Sequence, residues 1–290
     1  MDVGLIGVGL MGHGIAYNLR EQGHFPLTLL DHPGNQPVDD LIELGARLAP
    51  TGSAVAAGSD VIILCVTGSP QVEDVLTRED GVLAGLRPGT VVIDCSTSLP
   101  ESTLKMAEQV KTASGAFLDA PMTRLAQHAR AGTLNILVGG DAADLARVRP
   151  VLDAFTESID HVGPVGCGHR MKLLHNYVSI GFMALLGEAA AQAAQAGVDP
   201  EIFVDILAKG GGGGMALERL SPHILTGDGS NVPFVIANAI KDIDYYRAMV
   251  KTSGASTVIA DGVSAAISTV IEDGHDQAYI SELSRLFRAK

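Results

Sequence analysis

The sequence predicts an α/β fold: a doubly wound, mostly parallel sheet, then a long connecting helix and an all-helical C-terminal domain. Three observations carry this. Short apolar runs alternate with helical spacing through the first half of the chain. Strand-like runs nearly vanish after residue 168. The 290 residues include 34 glycines, above average usage, and a glycine-rich turn directly follows the first apolar run.

The elements follow in order. Residues 3–7 (VGLIG) form an apolar run ending in glycine, the pattern of a buried parallel strand. Met11, Ile15 and Leu19 give residues 11–22 one apolar helical face. Residues 26–30 (PLTLL) make a second strand that ends at Asp31, and 41–48 read as a helix. Residues 60–66 (DVIILCV) and 90–94 (TVVID) are strands, followed by helices over 71–77 and 101–113. Residues 116–119 and 135–138 add two strands. Crossover handedness places helices on both faces.

Beyond 161–168 (HVGPVGCG), residues 172–195 are a nearly continuous apolar helix. Its length suits a membrane span, but His175, Asn176, Glu188, Gln192 and Gln195 interrupt it, so it reads as a buried core helix. Further helices are expected over 199–209, 216–225, 237–251, 256–273 and 278–288. Five glycines at 210–214 cannot hold helix; they form a loop close to a substrate or a flexible hinge. The domain boundary is expected near residue 162.

Composition narrows the function. Twenty Lys+Arg against 33 Asp+Glu give a net charge of −13. That argues against nucleic acid and against an anionic membrane surface as partners. An anionic substrate would need local cations to hold it against this field. Cys65, Cys95 and Cys167 are too few and scattered for a disulfide framework or a zinc site, so no metal is expected. They fit a reducing compartment. The chain runs from Met1 and Asp2 into an apolar strand without the basic start of a signal peptide, and a cytoplasmic protein is expected.

The glycine-rich turn is Gly7-Val8-Gly9-Leu10-Met11-Gly12. Gly7 makes the turn, Gly9 lets the backbone approach a pyrophosphate, and Gly12 lets helix pack on strand. The helix N-terminus then offers N–H groups to phosphate. Asp31 ends the second strand 19 residues after Gly12, where an acidic residue bonds a ribose 2′-hydroxyl. A carboxylate there repels a 2′-phosphate. No Arg follows before Arg47, and only His32 tolerates a phosphate in part, so NAD is favoured over NADP. Residues 1–162 are expected as the dinucleotide-binding domain and 163–290 as a helical substrate and dimerisation domain.

Four segments together resemble the β-hydroxyacid dehydrogenases, the family of 3-hydroxyisobutyrate and tartronate semialdehyde dehydrogenases. They are Gly7–Gly12 in GLIGVGLMGHGIAYNL, then Asp119-Ala120-Pro121-Met122-Thr123, then Gly166-Cys167-Gly168 with Lys172 and Asn176, and finally Lys241-Asp242. The resemblance spans essentially the whole chain. It implies a Rossmann domain, a helical second domain, and dimers or tetramers. It assigns Val66, Thr67, Gln71 and Thr97 to the cofactor, Ser96, Met122 and Thr123 to the substrate, and Lys241 to cofactor or substrate. For Ser96 and Thr97 the alternative is capping the next helix with Glu101; for Lys241 it is a solvated helix lysine.

Lys172, Asn176 and Ser179 share one helix face at i, i+4 and i+7, with His175 beside them. A polar stripe on an apolar helix needs partners or a cavity. With the family match, Lys172 reads as the general acid/base of alcohol oxidation and Asn176 as its companion, against an ordinary buried amide. Where the family's substrate motif continues Ser-Gly-Gly, this chain has Thr123-Arg124-Leu125. Arg124 brings a cation that would bind the substrate's anionic group; its alternative is a surface pair with Asp141 or Asp144. A similar Arg occurs in members resembling sulfolactaldehyde reductase, some of which carry an amide where His175 stands.

The expected activity is NAD-dependent interconversion of a small anionic β-hydroxyacid and its semialdehyde or keto form. The alternative within this chemistry is a sulfolactaldehyde or other semialdehyde reductase anchored by Arg124. Other classes are an imine reductase or a non-catalytic NAD(P)-sensing module; Lys172 with Asn176 argues against both.

Overall fold

The computed structural model describes residues 1–288. The chain divides into two compact units that meet between Lys172 and Leu173. The first unit runs β1 (Val3–Ile6), α1 (Leu10–Glu21), β2 (Leu27–Leu30), α2 (Asp39–Glu43), β3 (Arg47–Ala49), α3 (Gly52–Ala57), β4 (Val61–Leu64), α4 (Ser69–Thr77), α5 (Val82–Gly85) and β5 (Val91–Asp94). It continues through α6 (Pro100–Thr112), β6 (Ala116–Asp119), β7 (Met122–Thr123), α7 (Ala126–Ala131), β8 (Leu134–Gly139), α8 (Ala142–Asp153) and β9 (Thr156–Gly163). Helix α9 (Cys167–Gln195) crosses from the first unit into the second without a break.

The sheet order is β3-β2-β1-β4-β5-β6-β8-β7, with β9 beside β8. Strands β3 to β6 along this path are parallel. β8 runs antiparallel to β6, β7 antiparallel to β8, and β9 parallel to β8. The winding reverses between β1 and β4, where open α/β sheets hold ligands beyond the carboxyl ends of their strands.

Alternation along the central strands explains why they read as unbroken apolar runs. Val61 and Ile63 join the cluster that includes Ile15, Ala16 and Leu19 of α1. Ile62 and Leu64 join the opposite cluster with Val72, Val75, Met106 and Val110 of α4 and α6. Both faces are covered, so neither parity of residue can be polar.

The second unit adds α10 (Pro200–Lys209), α11 (Met215–Thr226), α12 (Ile236–Ser253), α13 (Val258–Glu272), a 3₁₀ turn at Ile280–Glu282 and α14 (Leu283–Leu286). Ile180, Met183 and Leu186 of α9 pack in its core with Leu217, Leu220, Ile236, Ile243 and Ile267. By length and composition α9 could cross a membrane, but these side chains pack one of its faces into the core of the second unit.

Two expectations are corrected. The helix expected over 41–48 stops at Glu43; Gly45, at φ +88°, turns the chain, and Arg47–Ala49 extend the sheet edge as β3. The helix expected over 278–288 is reduced to the 3₁₀ turn and one turn of α14. Finally, α3, α5, β7, α7, α8 and β9 occupy stretches to which the sequence pattern assigns no element.

Candidate active site

The glycine-rich turn joins β1 to α1. Gly7 lies at φ +96°, and a Cβ there would sit 2.3 Å from the Cys65 carbonyl oxygen. A Cβ on Gly12 would sit 1.9 Å from the Gly7 carbonyl oxygen, so helix and strand touch only because residue 12 is a glycine. Gly9 differs: a Cβ there would meet no protein atom within 4 Å. Gly9 caps α1 without a side-chain bond, so the N–H groups of Leu10, Met11 and Gly12 are left for an anion. Open ground at Gly9 beside an uncapped helix end fits a pyrophosphate.

The loop after β2 is fastened to this turn. Val8 N donates to Asn35 Oδ1 at 3.3 Å, and Gln36 N donates to the Val8 carbonyl at 2.7 Å. Asn35 Nδ2 donates to the Leu30 carbonyl at 2.9 Å. Asp31 is exposed at the strand's end. Gly34 N donates to His32 Nδ1 at 3.0 Å, which leaves the ring proton of the neutral imidazole on Nε2. Arg47 pairs in register with Thr28, three residues before Asp31, so its backbone lies about 10 Å below the rim.

At the ends of β4 and β5, Val66, Thr67 and Thr97 line the rim as expected, with exposed Gln71 one turn into α4. Ser96 is built into this rim. It is buried, its N donates to Asp94 Oδ1 at 2.9 Å, and its Oγ accepts Val66 N at 3.0 Å. Ser96 is therefore a fastening between two rim loops, its hydroxyl oxygen accepting from Val66 N while its O–H is a separate donor. Neither Ser96 nor Thr97 caps α6, which starts at Pro100 after Leu99.

Asp119 holds the start of α9. Gly166 N donates to its Oδ1 at 2.7 Å and His169 N to its Oδ2 at 2.8 Å. Burial pushes the Asp119 carboxyl up, while His169 and the two backbone N–H groups pull it back in part. Lys172 lies on the next turn of α9, half-buried.

Met122 is buried in β7 and Thr123 is half-buried. Arg124 adopts φ +77°, a conformation that suits the glycine of related sequences better than an arginine. Its Nη1 donates to the Thr133 carbonyl at 2.7 Å and pairs with Glu157, and the Arg124 guanidinium holds the Glu157 carboxyl below its ordinary range. The partner is neither Asp141, which caps α8, nor Asp144, which pairs with Arg147.

In the second unit, Asn176 is buried on α9. Its Nδ2 donates to Asp242 Oδ2 at 2.6 Å, and its Oδ1, which can only accept, takes the proton of His175 Nδ1 at 3.0 Å. Ser179 Oγ donates to the Asn176 carbonyl at 3.4 Å. Lys241 Nζ lies 3.3 Å from Asp242 Oδ1. Asp242 was not among the expected site residues, yet it orients the Asn176 amide; its one sequence signal is its place after Lys241. Among the described residues no cluster of three or more His, Cys, Asp or Glu could hold a metal ion.

Comparison with known proteins agrees with this geometry. Residues 2–163 match the model of the NAD binding domain of 6-phosphogluconate dehydrogenase. Residues 166–287 match the model described as NAD-binding of NADP-dependent 3-hydroxyisobutyrate dehydrogenase. An NAD-dependent L-serine dehydrogenase of Pseudomonas aeruginosa is 31% identical, covering 99% of this chain and 97% of its own. A 2-hydroxy-3-oxopropionate reductase of Escherichia coli is 37% identical over 69% of this chain and 68% of its own. The solved structure of Mycobacterium tuberculosis 3-hydroxyisobutyrate dehydrogenase with L-serine is 25% identical, covers 99% of both chains and superposes with a TM-score of 0.89. The glycine-rich turn that leaves room for a pyrophosphate, the Lys172–Asn176 helix and these matches together make the chain a member of the β-hydroxyacid dehydrogenase family, an NAD(P)-dependent oxidoreductase of hydroxyacids.

Proposed function

We propose that the protein is an NAD-preferring dehydrogenase that interconverts a small anionic β-hydroxyacid and its semialdehyde or keto form, with Lys172 as general acid/base. The observation that carries this reading is the placement of Lys172 and Asn176 one turn apart on α9, with the Asn176 amide held by Asp242. L-serine and 3-hydroxyisobutyrate, named among the relatives, share a carboxylate and a hydroxyl on the β-carbon, which supports the substrate class.

Nicotinamide, when bound, exchanges a hydride with the hydroxyl-bearing carbon. The N–H groups at the start of α1 would hold the pyrophosphate, and Asp31 would accept from the ribose hydroxyls of the adenosine half. In oxidation Lys172 Nζ takes the hydroxyl proton; in reduction it returns that proton to the carbonyl oxygen. Asn176 donates to the same oxygen, its plane fixed by Asp242 and His175. Val66, Thr67, Gln71 and Thr97 would hold the nicotinamide half, Thr123 and Ser179 would serve the substrate, and Lys241 would follow its family motif toward cofactor or substrate.

NAD is favoured because Asp31 would repel a 2′-phosphate, and the next arginine along the chain, Arg47, lies well below the rim. The pairing of Arg124 with Glu157 weighs against the alternative in which Arg124 anchors a sulfonate or carboxylate. Helix α10 has no buried residue and exposes Ile202 and Ile206, which accords with burial against a second copy of this chain.

The test is turnover of a panel of 3-hydroxyacids with NAD and with NADP, by wild type and by Lys172→Ala. We expect kcat/KM to be higher with NAD. The variant should lose about 10²–10⁴ in kcat with NADH affinity unchanged. A variant retaining more than about a tenth of wild-type kcat would remove Lys172 from the acid/base role.

A further inference from the structure

We propose that His169 is a positioning residue that locks the nicotinamide-side rim of the sheet to the first turn of the helix carrying Lys172. The inference rests on the functional reading above for what the rim binds.

His169 is completely buried, and its contacts run in three directions. Its ring Nε2 lies 3.1 Å from the Ser96 carbonyl oxygen. A carbonyl only accepts, so Nε2 carries a proton and donates it. Its Nδ1 lies 2.7 Å from Thr103 Oγ1 on α6. That hydroxyl also lies 3.1 Å from the Leu99 carbonyl. A neutral ring accepts the hydroxyl proton at Nδ1; a charged ring donates there and the hydroxyl turns to Leu99. Both nitrogens are satisfied in either state. The backbone N–H of His169 donates to Asp119 Oδ2, and the ring lies between Asp94 Oδ2 and Asp119 Oδ2, 3.8 Å from each.

The ring therefore reaches Ser96, and Ser96 reaches further. Its hydroxyl accepts from Val66 N and its own N–H donates to Asp94 Oδ1. One imidazole thus ties three things together: the rim after β4, the rim after β5, and the first turn of α9. Lys172 is three residues beyond His169, on the same side of that helix. A buried polar ring costs stability unless every polar atom is paired, and here the pairing partners are the segments that must keep a fixed distance for chemistry. Misplacing a catalytic group by about 1 Å costs up to about 10²-fold in rate. Packing alone requires no donor aimed at Ser96.

The test compares His169→Ala and His169→Gln with wild type. A glutamine amide can still donate to the Ser96 carbonyl. Four quantities are read: the melting temperature, the Kd of ADP-ribose, the fluorescence of bound NADH, and kcat with its isotope effect from 4-deuterated NADH. We expect His169→Ala to bind ADP-ribose within twofold of wild type. Its bound NADH should change fluorescence, its kcat per folded enzyme should fall about 10- to 100-fold, and its isotope effect should rise. His169→Gln should recover most of this loss. A lower melting temperature with NADH fluorescence and kcat per folded enzyme both unchanged would overturn the proposal and leave His169 a packing residue. Altered NADH fluorescence in a protein whose wild type turns over none of the acids would sustain the positioning role and overturn the activity instead.

Discussion

Asp119 bears more than its place in a substrate motif indicates. Its two oxygens each receive a backbone N–H from the start of α9, so the carboxylate is a buried helix cap. An amide in its place has only one acceptor oxygen. Asp119→Asn should leave one of those N–H groups facing an NH₂, at a cost of about 1–3 kcal/mol in stability. A urea midpoint unchanged from wild type would refute this account. Cysteine chemistry is decided by similar local facts. Burial, with the Asp94 carboxylate adding to it, pushes the Cys65 thiol up to about 12, and Cys95 rises for the same principal reason. Iodoacetamide followed by mass spectrometry should label Cys65 and Cys95 only after denaturation, and rapid labelling of the native protein would contradict it. At this scale the sequence exposes what is local. The glycine-rich turn, Asp31 and the Lys172–Asn176 spacing are legible because their geometry lies within a few residues or one strand. Asp242, His169 and Asn35 are not, because each acts on a partner 66, 73 or 27 positions away.

Among elements, the strands buried on both faces announce themselves by composition, as β1, β4 and β5 do. Edge strands β3 and β7, three and two residues long, are too short for any periodicity to register. Helix α8 hides behind Pro150 in its interior, although Leu145, Val148, Val151 and Leu152 keep helical spacing. Helix α7 is six residues long and depends on α1 for its place. Asn18 supplies that dependence. Its Nδ2 donates to the Ala129 carbonyl at 2.8 Å, to Arg130 at 3.1 Å and to Gly14 at 2.9 Å. Asn18→Ala should remove these bonds between α1 and α7 and cost about 0.5–1.5 kcal/mol. The loss should be seen first as faster amide hydrogen exchange in residues 126–131; exchange there at the wild-type rate would refute the link.

For the whole molecule, a net charge of −13 sets the sign of the long-range field. An anionic substrate approaches against that field, and salt screens it over about 8–10 Å at 0.10–0.15 M. With cofactor saturating, kcat/KM for a hydroxyacid should therefore rise between low and physiological salt, while that for an uncharged alcohol should stay flat. A fall for the acid would mean that cations near the site, Lys172 and Lys241 foremost, outweigh the rest of the surface.

The unbroken course of α9 across the seam at Lys172 and Leu173 also bears on how this scaffold can be recombined. Modular proteins are usually cut and rejoined in a pliable tether. Here the seam runs through one continuous helix, between the proposed proton donor and its amide companion. A chimera spliced at the seam would inherit those two groups from different parents, and any change in helical phase would turn one away from the other. Each inserted residue would rotate everything downstream by about 100°. Grafts that exchange cofactor preference or substrate range should be joined in the turn before Cys167, so that the whole helix travels with one parent.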